Sequence, residues 1–313
     1  MTELVGVRPK TCGDDPMIDI VPTGKILGAT VNGLDLSQAL ADAAFDQILR
    51  ALGRYGVLRF PYQALKPAAQ KAFASRFGSL EVHVAGLYQD PEHPEIMFLS
   101  NIVENGQPIG LADAGQDWHT DMSYNRVIAL ANVLHAIKVP RDKSGRPLGS
   151  THFANMHAVY DDLSAELKAR LKDATAVHDF NKFWEMMRRD RGSNRPPLTR
   201  QQRAAKPSVS HPVFLTHPVT GRKVLYADPG YTVRINDMDA EESDEILSFL
   251  FVHQLQPKYC YEQQWSEGDL MMWDNIGTLH NAIADYGPHQ PRLMQRCQVM
   301  ADRIFQHPVA GVA

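Results

Sequence analysis

Residues 259–301 read YCYEQQWSEGDLMMWDNIGTLHNAIADYGPHQPRLMQRCQVMA, a stretch in which short apolar runs alternate with turn-forming residues. The runs at 259–264, 269–274, 278–282 and 292–301 have the length and composition of β-strands. Gly, Pro, Asp and Asn are concentrated in the segments between the runs, as expected of tight connections. This part of the chain therefore predicts four short strands.

The same alternation extends back through the middle of the chain. Further strands are predicted at 118–123, 128–137, 151–154, 175–180, 209–216, 223–227 and 231–235. The exception is a helix at about 239–255, which begins with acidic residues that suit the positive end of a helix dipole. Many short strands separated by turns are typical of a double-sheet jelly roll. We therefore expect a β-rich α+β fold with a double-stranded β-helix core.

The first hundred residues predict helices that flank this core. Apolar residues at helical spacing predict a helix over 42–55, and a proline near the first turn favours a second helix over 67–77. Strands are expected at 56–60 and 96–100. Because the sequence contains no internal repeat and no low-complexity tract, we expect one domain over residues 1–313.

Composition and charge narrow the possible functions of the 313-residue chain. Its formal net charge of −4 argues against dedicated nucleic-acid binding. The N-terminal residues lack the apolar stretch of a secretory signal, and the longest apolar run, 127–137, is too short to span a bilayer. Cys12, Cys260 and Cys297 form no CxxC pair, which favours a reducing compartment. These features predict a cytoplasmic protein without nucleic-acid or membrane partners.

Residues 181–206, called the basic segment below, differ in composition from the rest of the chain. They include eight Lys and Arg residues against two acidic ones, Glu185 and Asp190. A solvated surface insertion would have this composition. A lid over an anionic substrate would have it too, because long loops in compact domains are often functional. Both interpretations remain open from sequence.

The candidate metal-binding motif is Trp118-His119-Thr120-Asp121. On a strand, side chains two apart share a face, so His119 and Asp121 could bind one ion. An imidazole and a carboxylate suit Fe(II), Mn(II) or Zn(II), and a third ligand must come from elsewhere. The pattern His-x-Asp/Glu is unspecific, since about 1.5 matches are expected by chance. The second match in the sequence, at 93–95, lies in a proline-containing loop where the strand argument fails.

The C-terminal residues supply the context that the motif lacks. His280 lies on or just after the strand predicted at 278–282, and Arg292 and Arg296 lie on the next one. Their spacing of four places both guanidinium groups on one face of that strand. Arginine binds carboxylates through its planar fork, and a buried arginine is tolerated when it meets an anion. An anion site beside His280 is therefore predicted.

Seven fragments are distributed in order over most of the length of the chain: ILGATVNGLDLS, GVLRFPYQ, RFGSLEVH, WHTDMSY, STHFAN, WDNIGTLHNA and DYGPHQPRLMQR. In this order the sequence resembles the TauD/TfdA family of Fe(II)- and 2-oxoglutarate-dependent dioxygenases. The resemblance implies that His119, Asp121 and His280 bind the iron. It also implies that Arg292 pairs with the distal carboxylate of 2-oxoglutarate, assisted by the Thr151 hydroxyl.

The resemblance further implies a substrate site, a reaction and an assembly. His83 and Arg296 match substrate-contacting positions, and the substrate is expected to be a small organic anion. With O2, 2-oxoglutarate would be decarboxylated to succinate and CO2 while the substrate is hydroxylated, and hydroxylation beside a heteroatom would cleave it. Gly115 stands where the motif often has Asn, which argues against taurine. A homo-oligomer is expected.

Two other classes of protein remain to be weighed. A zinc hydrolase could use two histidines, a carboxylate and a water, but the sequence has no HExxH motif and such an enzyme needs no arginine pair beside the third ligand. A non-catalytic jelly-roll binding protein would have no need of an intact triad. The dioxygenase is the preferred interpretation.

Overall fold

The computed structural model describes residues 18–82, 88–191, 193 and 195–304. Its helices are α1 (Asp42–Tyr55), α2 (Pro67–Ala74), α3 (Met156–Asp161), α4 (Ala165–Leu171), α5 (Phe180–Asp190), α6 (Arg200–Ala205) and α7 (Ala240–His253), with a 3-10 turn at Pro257–Tyr259. Its strands are β1 (Asp19–Pro22), β2 (Ala29–Asn32), β3 (Val57–Phe60), β4 (Met97–Ser100), β5 (Val103–Glu104), β6 (Gln107–Pro108), β7 (Ala129–Lys138), β8 (Thr151–Asn155), β9 (Thr175–His178), β10 (Val209–Pro212), β11 (Phe214–Thr216), β12 (Lys223–Leu225), β13 (Thr232–Ile235), β14 (Cys260–Gln263), β15 (Leu270–Asp274), β16 (Thr278–Ala282) and β17 (Leu293–Met300).

The largest sheet has seven strands in the spatial order β1-β2-β3-β15-β7-β17-β4. Strand β7 is flanked by β15 and β17, both antiparallel to it, and its residues 129–136 are all buried. A continuous apolar run of this kind is expected of a strand that is covered on both faces. The long run at 127–137 thus supplies an interior strand of the sheet.

A second layer contains the three-stranded sheets β14-β8-β16 and β10-β9-β13 and the two-stranded sheet β11-β12. Phe153 of β8 packs edge-on against Trp273 of β15, with ring centroids 5.6 Å apart. Met271 and Met294 from the large sheet join the same buried cluster. The core between the two layers is therefore closed by side chains from both sheets, as in a jelly roll.

Helices cover the outside of the large sheet, as the N-terminal sequence predicted. The amphipathic helix α1 has the predicted bounds, and Ile48 and Leu52 on its inner face are buried. It ends at Gly56, whose φ of 70° is a left-handed conformation that glycine adopts without steric cost. None of the helices in the described part is long and apolar enough to cross a membrane.

The strand predicted at 118–123 is wrong. Asp117 and Met122 have φ values of 80° and 62°, which bend the backbone at both ends of the motif. Only His119 pairs with a strand, through an isolated antiparallel bridge to His280. His119 and Asp121 therefore reach the same site from a bent segment, and the same-face rule for strands is not the reason.

Four helices were missed because the middle of the chain was predicted to be almost entirely β. They are α3, α4, α5 and α6, each of eleven residues or fewer. The strand predicted at 175–180 ends at His178, and Asp179 then caps α5 by accepting a hydrogen bond from the Asn181 amide. Short helices of this kind are held mainly by caps and tertiary packing, which a search for long periodic patterns does not detect.

Candidate active site

Three predicted ligands converge at one buried point between the layers. The His119 Nε2 atom lies 3.4 Å from Asp121 Oδ1, and His280 Nε2 lies 3.6 Å from Asp121 Oδ2. The two imidazole rings are 4.2 Å apart at their centroids, and all three side chains are buried. The backbones of the two histidines exchange a pair of hydrogen bonds, His119 N to His280 O and His280 N to His119 O. The bridge holds distant parts of the chain in register.

Hydrogen bonds outside this triad orient two of its members. His119 Nδ1 lies 2.8 Å from the Asp117 carbonyl oxygen, to which it can only donate, so in the neutral imidazole the lone pair is on Nε2, the nitrogen that faces Asp121. The buried Asn275 side chain accepts from the Asp121 amide and donates to the Asp121 carbonyl. Thr120 donates its hydroxyl to the Asn275 carbonyl oxygen. Asn275 thus holds the Asp121 backbone as a neighbouring strand would.

The electrostatics of the triad suit a divalent cation. Although burial opposes its ionisation, the nearby His119, His280 and Arg296 hold the pKa of Asp121 below its usual range. Burial and the neighbouring His119 lower the pKa of His280 to about 3, which keeps the imidazole neutral. The buried Asp121 Oδ2 accepts no hydrogen bond. Although burial opposes its protonation, the neighbouring Asp121 raises the pKa of His119. A cation at this point would replace that proton, since a metal binds an ionised carboxylate and neutral imidazole nitrogens.

A second buried cluster of the same composition contains His157, His217 and Asp274. Of the described residues, only the triad and this cluster bring together three His, Cys, Asp or Glu groups at metal-binding distances. In the second cluster, His217 Nδ1 accepts hydrogen bonds from the Val219 and Thr220 amides, at 3.2 Å each. The proton of a neutral His217 is therefore on Nε2, which lies 2.9 Å from Asp274 Oδ2.

In the second cluster, the protonated Nε2 of His217 thus faces the Asp274 carboxylate. A metal would have to displace the proton on this nitrogen. Although burial opposes ionisation, His217 keeps the pKa of Asp274 below its usual range. Burial lowers the pKa of His157, whose Nδ1 lies 3.1 Å from the Lys223 carbonyl oxygen. None of the three residues lines either cavity beside the triad. We interpret the second cluster as structural.

One of those cavities lies on the His280 side of the triad. Thr151, Arg292 and Arg296 border it together with His280. The Arg292 side chain is buried, its Nε atom has no hydrogen-bond partner, and it forms no ion pair with any described residue. Thr151 Oγ1 accepts a hydrogen bond from Trp265 Nε1, which fixes the hydroxyl at the cavity wall. The structure therefore brings the predicted cosubstrate residues together beside a predicted iron ligand.

The other cavity lies on the His119 side. Its wall contains His119, Asp121 and Arg296 together with a group of aromatic rings, Tyr88, Tyr124, Phe180, Phe183, Trp184 and Tyr231. Arg296 borders both cavities, and its NH1 atom lies 3.7 Å from Asp121 Oδ2. Phe183 and Trp184 were not among the site residues that the sequence indicated. Their position on an amphipathic helix in the basic segment is the sequence signal that could have identified them.

Two sequence candidates need separate comment. His83 lies outside the described residues. In the second His-x-Glu match, Glu95 forms an ion pair with Lys71 at 2.7 Å, and neither His93 nor Glu95 belongs to a cluster at metal-binding distances among the described residues.

A protein-family model described as taurine catabolism dioxygenase TauD, TfdA family, matches residues 19–298. The chain belongs to the TauD/TfdA family. It is 32% identical over 292 residues to pentalenolactone F synthase of Streptomyces avermitilis. This match covers 89% of this chain and 92% of the relative. It is 30% identical over 295 residues to the alpha-ketoglutarate-dependent 2,4-dichlorophenoxyacetate dioxygenase of Cupriavidus pinatubonensis, covering 90% and 98%.

Solved structures of TauD/TfdA proteins agree with the fold described above. The structure of AAD-2 in complex with Mn(II) and N-oxalylglycine superimposes with a TM-score of 0.72 at 29% identity, covering 91% of this chain and 97% of that one. The jelly-roll prediction is confirmed. The chain is an Fe(II)- and 2-oxoglutarate-dependent dioxygenase. The zinc hydrolase and the non-catalytic binding protein receive no support.

Proposed function

We propose that His119, Asp121 and His280 hold the Fe(II), that Arg292 and Thr151 hold 2-oxoglutarate, and that Arg296 recognises an anionic substrate. The observation that carries this proposal is Arg292, a buried arginine without an ion-pair partner among the described residues, beside a buried His/Asp/His triad. Burying an unpaired charge is costly, so such a residue is expected where an anion binds.

The triad determines where the reaction takes place. Two imidazoles and one carboxylate occupy one face of a metal and leave the remaining positions open to small molecules. The iron supplies the coupling of 2-oxoglutarate decarboxylation, which gives succinate and CO2, to oxidation of the substrate by O2. The protein supplies position and a water-poor site, because all three ligands lie in the interior.

Arg292 and Thr151 would determine the orientation of 2-oxoglutarate. Arg292 lines the same cavity as His280, so it would hold the distal carboxylate of a 2-oxoglutarate whose keto acid end faced the triad. Arg292 can donate two parallel hydrogen bonds to a carboxylate, and the Thr151 hydroxyl can add a third. Fixing both ends of the cosubstrate holds the keto group in one position relative to the triad.

The substrate cavity favours an apolar molecule that bears an acid group. Aromatic rings form much of its wall, while Arg296 is placed next to Asp121. When Asp121 serves as a metal ligand, its charge is shared with the cation, and Arg296 is then able to bind an anion. The named substrate of one relative, 2,4-dichlorophenoxyacetate, has this chemistry. Hydroxylation beside a heteroatom would cleave such a molecule.

Several wider features belong to the same proposal. We infer that the basic segment serves as a lid, because its residues Phe183 and Trp184 on α5 line the cavity. We also infer a single catalytic domain, a homo-oligomer and a cytoplasmic location without nucleic-acid or membrane partners. The acidic net charge supports the absence of nucleic-acid binding, and the free thiols of Cys260 and Cys297 support a reducing compartment. Light scattering on the purified chain tests the oligomer.

A substrate panel tests the proposed function. With Fe(II) and 2-oxoglutarate present, O2 consumption and succinate formation are measured for aryloxy acids, sulfonates and sulfate esters, each beside a neutral isostere such as the amide. We expect acids to stimulate turnover and their isosteres to do so much less. In Arg296→Gln the preference for acids should disappear, whereas Arg146→Gln, an exposed arginine paired with Asp142, should keep it.

Two outcomes of the panel have different meanings. Stimulation by neutral compounds alone would refute the anionic substrate and leave the dioxygenase intact. Arg146→Gln behaving like Arg296→Gln would assign the effect to general charge, not to the cavity.

A further inference from the structure

The basic segment contacts the predicted iron ligand His119 in two ways. Phe183 of α5 packs on the His119 ring, with centroids 4.8 Å apart. Beyond the end of α5, Arg191 NH2 lies 2.7 Å from Asp117 Oδ2. The Asp117 carbonyl oxygen in turn accepts a hydrogen bond from His119 Nδ1. A chain of direct contacts therefore links the basic segment to the ligand.

Asp117 is tightly held by its surroundings. Its φ of 80° is left-handed, a conformation that Asp and Asn tolerate better than most residues. Its amide donates to Asn281 Oδ1 at 2.8 Å, on the residue after His280. Its Oδ1 accepts from the Trp118 amide at 2.9 Å, which leaves Oδ2 for Arg191. Each polar group of Asp117 thus has a separate partner around the triad.

The direction of the Asp117 carbonyl determines which nitrogen of His119 is free. While the carbonyl accepts from Nδ1, a neutral His119 has its lone pair on Nε2, the nitrogen that faces Asp121. Rotation of the 117–118 peptide would remove this acceptor and release the imidazole from one orientation. Groups that orient metal-bound histidines typically affect metal affinity by about 10- to 100-fold.

We propose that Asp117 is a positioning residue for His119, and that Arg191 of the basic segment stabilises the Asp117 conformation. This inference rests on the proposed function, because it requires His119 to be a metal ligand. It assigns the segment a second role, in which its docking on residues 113–117 increases the affinity of the triad for metal. Arg195 and Ser193 strengthen the docking through contacts with Asp113.

The test measures metal binding without substrate, cosubstrate or turnover. Mn(II) is titrated into the full-length chain, and free Mn(II) is followed by its electron paramagnetic resonance signal. We expect Arg191→Ala and Asp117→Asn to raise the dissociation constant by about three- to tenfold, less than direct loss of an orienting group because the carbonyl itself remains. Asn keeps the left-handed backbone accessible, so Asp117→Asn changes charge more than conformation.

Arg189→Ala is the matched control. Arg189 lies on α5, two residues before Arg191, and its side chain is exposed. Its ion-pair contact is with Glu185 at 3.7 Å. The Arg189→Ala variant should bind Mn(II) with the same dissociation constant as the wild type. Combining Arg191→Ala with Asp117→Asn should weaken binding no further than either change alone, since both break the same contact.

The outcomes separate this inference from the proposed function. Wild-type affinity in both Arg191→Ala and Asp117→Asn would overturn the positioning role, and so would equal weakening in Arg189→Ala. If His119→Ala bound Mn(II) as tightly as the wild type, the metal site itself would be wrong. The Nδ1–H signal of 15N-labelled His119 gives an independent readout, which should broaden or shift in Arg191→Ala and stay unchanged in Arg189→Ala.

Discussion

The triad His119/Asp121/His280 and the second cluster His157/His217/Asp274 have the same composition and similar burial, yet they differ in where their protons lie. In the triad, His119 Nδ1 donates to the Asp117 carbonyl oxygen, so a neutral His119 has its lone pair on Nε2, facing Asp121. In the second cluster, two backbone amides occupy His217 Nδ1, so the proton is on Nε2 and faces Asp274.

The comparison shows that residue types and distances are not sufficient to identify a metal site. The hydrogen bonds on the far side of each imidazole determine whether its near nitrogen offers a lone pair or a proton. Access differs as well, because the triad borders two cavities and the second cluster borders neither. The triad is accessible to a cation and small molecules from two cavities, whereas the second cluster borders neither cavity.

The largest expected effect is on turnover. His280→Ala removes a metal ligand, so succinate formation should fall by more than about a hundredfold, beyond the usual effect of losing an outer contact. His157→Gln, in the second cluster, should keep near wild-type turnover. Circular dichroism confirms that both variants are folded. Comparable loss in the two variants would break the distinction between the clusters.

The free energy of unfolding should depend more on the second cluster than on the triad, the opposite of the order expected for turnover. In metal-free protein, His217→Leu leaves the buried Asp274 carboxylate without its partner and should lower the free energy of unfolding by about 3–5 kcal/mol. His280→Leu should lower it by less than about 1 kcal/mol, because its Nδ1 has no hydrogen-bond partner and an apolar side chain suits the buried site. Urea denaturation measures both. Equal losses would mean that both clusters are structural.

A smaller effect is expected from substitution of Arg292, the proposed partner of the 2-oxoglutarate carboxylate. Arg292→Lys keeps the charge and loses the planar fork, so the KM for 2-oxoglutarate should rise by about ten- to a hundredfold, the equivalent of about 1.5–3 kcal/mol. The dissociation constant for Mn(II), measured without 2-oxoglutarate, should not change. An unchanged KM would assign Arg292 to the fold and remove the main support for the cosubstrate site.

The smallest effect concerns pH. Burial lowers the pKa of His157 in the folded state, so below the ordinary histidine pKa of about 6.5 the unfolded chain binds a proton that the folded chain does not. The free energy of unfolding therefore decreases as the pH falls from 6.5, with a contribution of up to about 1.4 kcal/mol per pH unit. In His157→Gln this decrease should be shallower. Identical pH profiles would show that His157 is not held neutral.

Much of the fold was predictable because its strands carry local signals. β15 and β16 lie within one residue of the strands predicted at 269–274 and 278–282, since apolar runs and turn residues mark their ends. The exact match of α1 has the same origin in apolar periodicity. These elements are determined by the residues they contain.

The sequence indicated the residues of the candidate site and not their geometry. The ordered resemblance singled out His119, Asp121, His280 and Arg292, and the structure brings the first three to metal-binding distances and places Arg292 beside the same cavity as His280. The left-handed backbone at Asp117 and Met122 could not be predicted, because Asp occurs in many conformations and Met rarely adopts a positive φ.

The aromatic wall from α5 was missed for a related reason. Phe183 and Trp184 are surrounded in sequence by charged residues, and only tertiary packing directs them toward His119. The second cluster was also missed, since His157, His217 and Asp274 share no local spacing pattern and meet only in the folded chain.

An anaerobic titration with Fe(II) in the presence of 2-oxoglutarate tests most directly whether only one of the two clusters binds metal. We predict a weak visible charge-transfer band that saturates at one equivalent per chain, persists in His157→Gln and is absent in His119→Ala. Saturation at two equivalents, or a band that survives in His119→Ala, would contradict it.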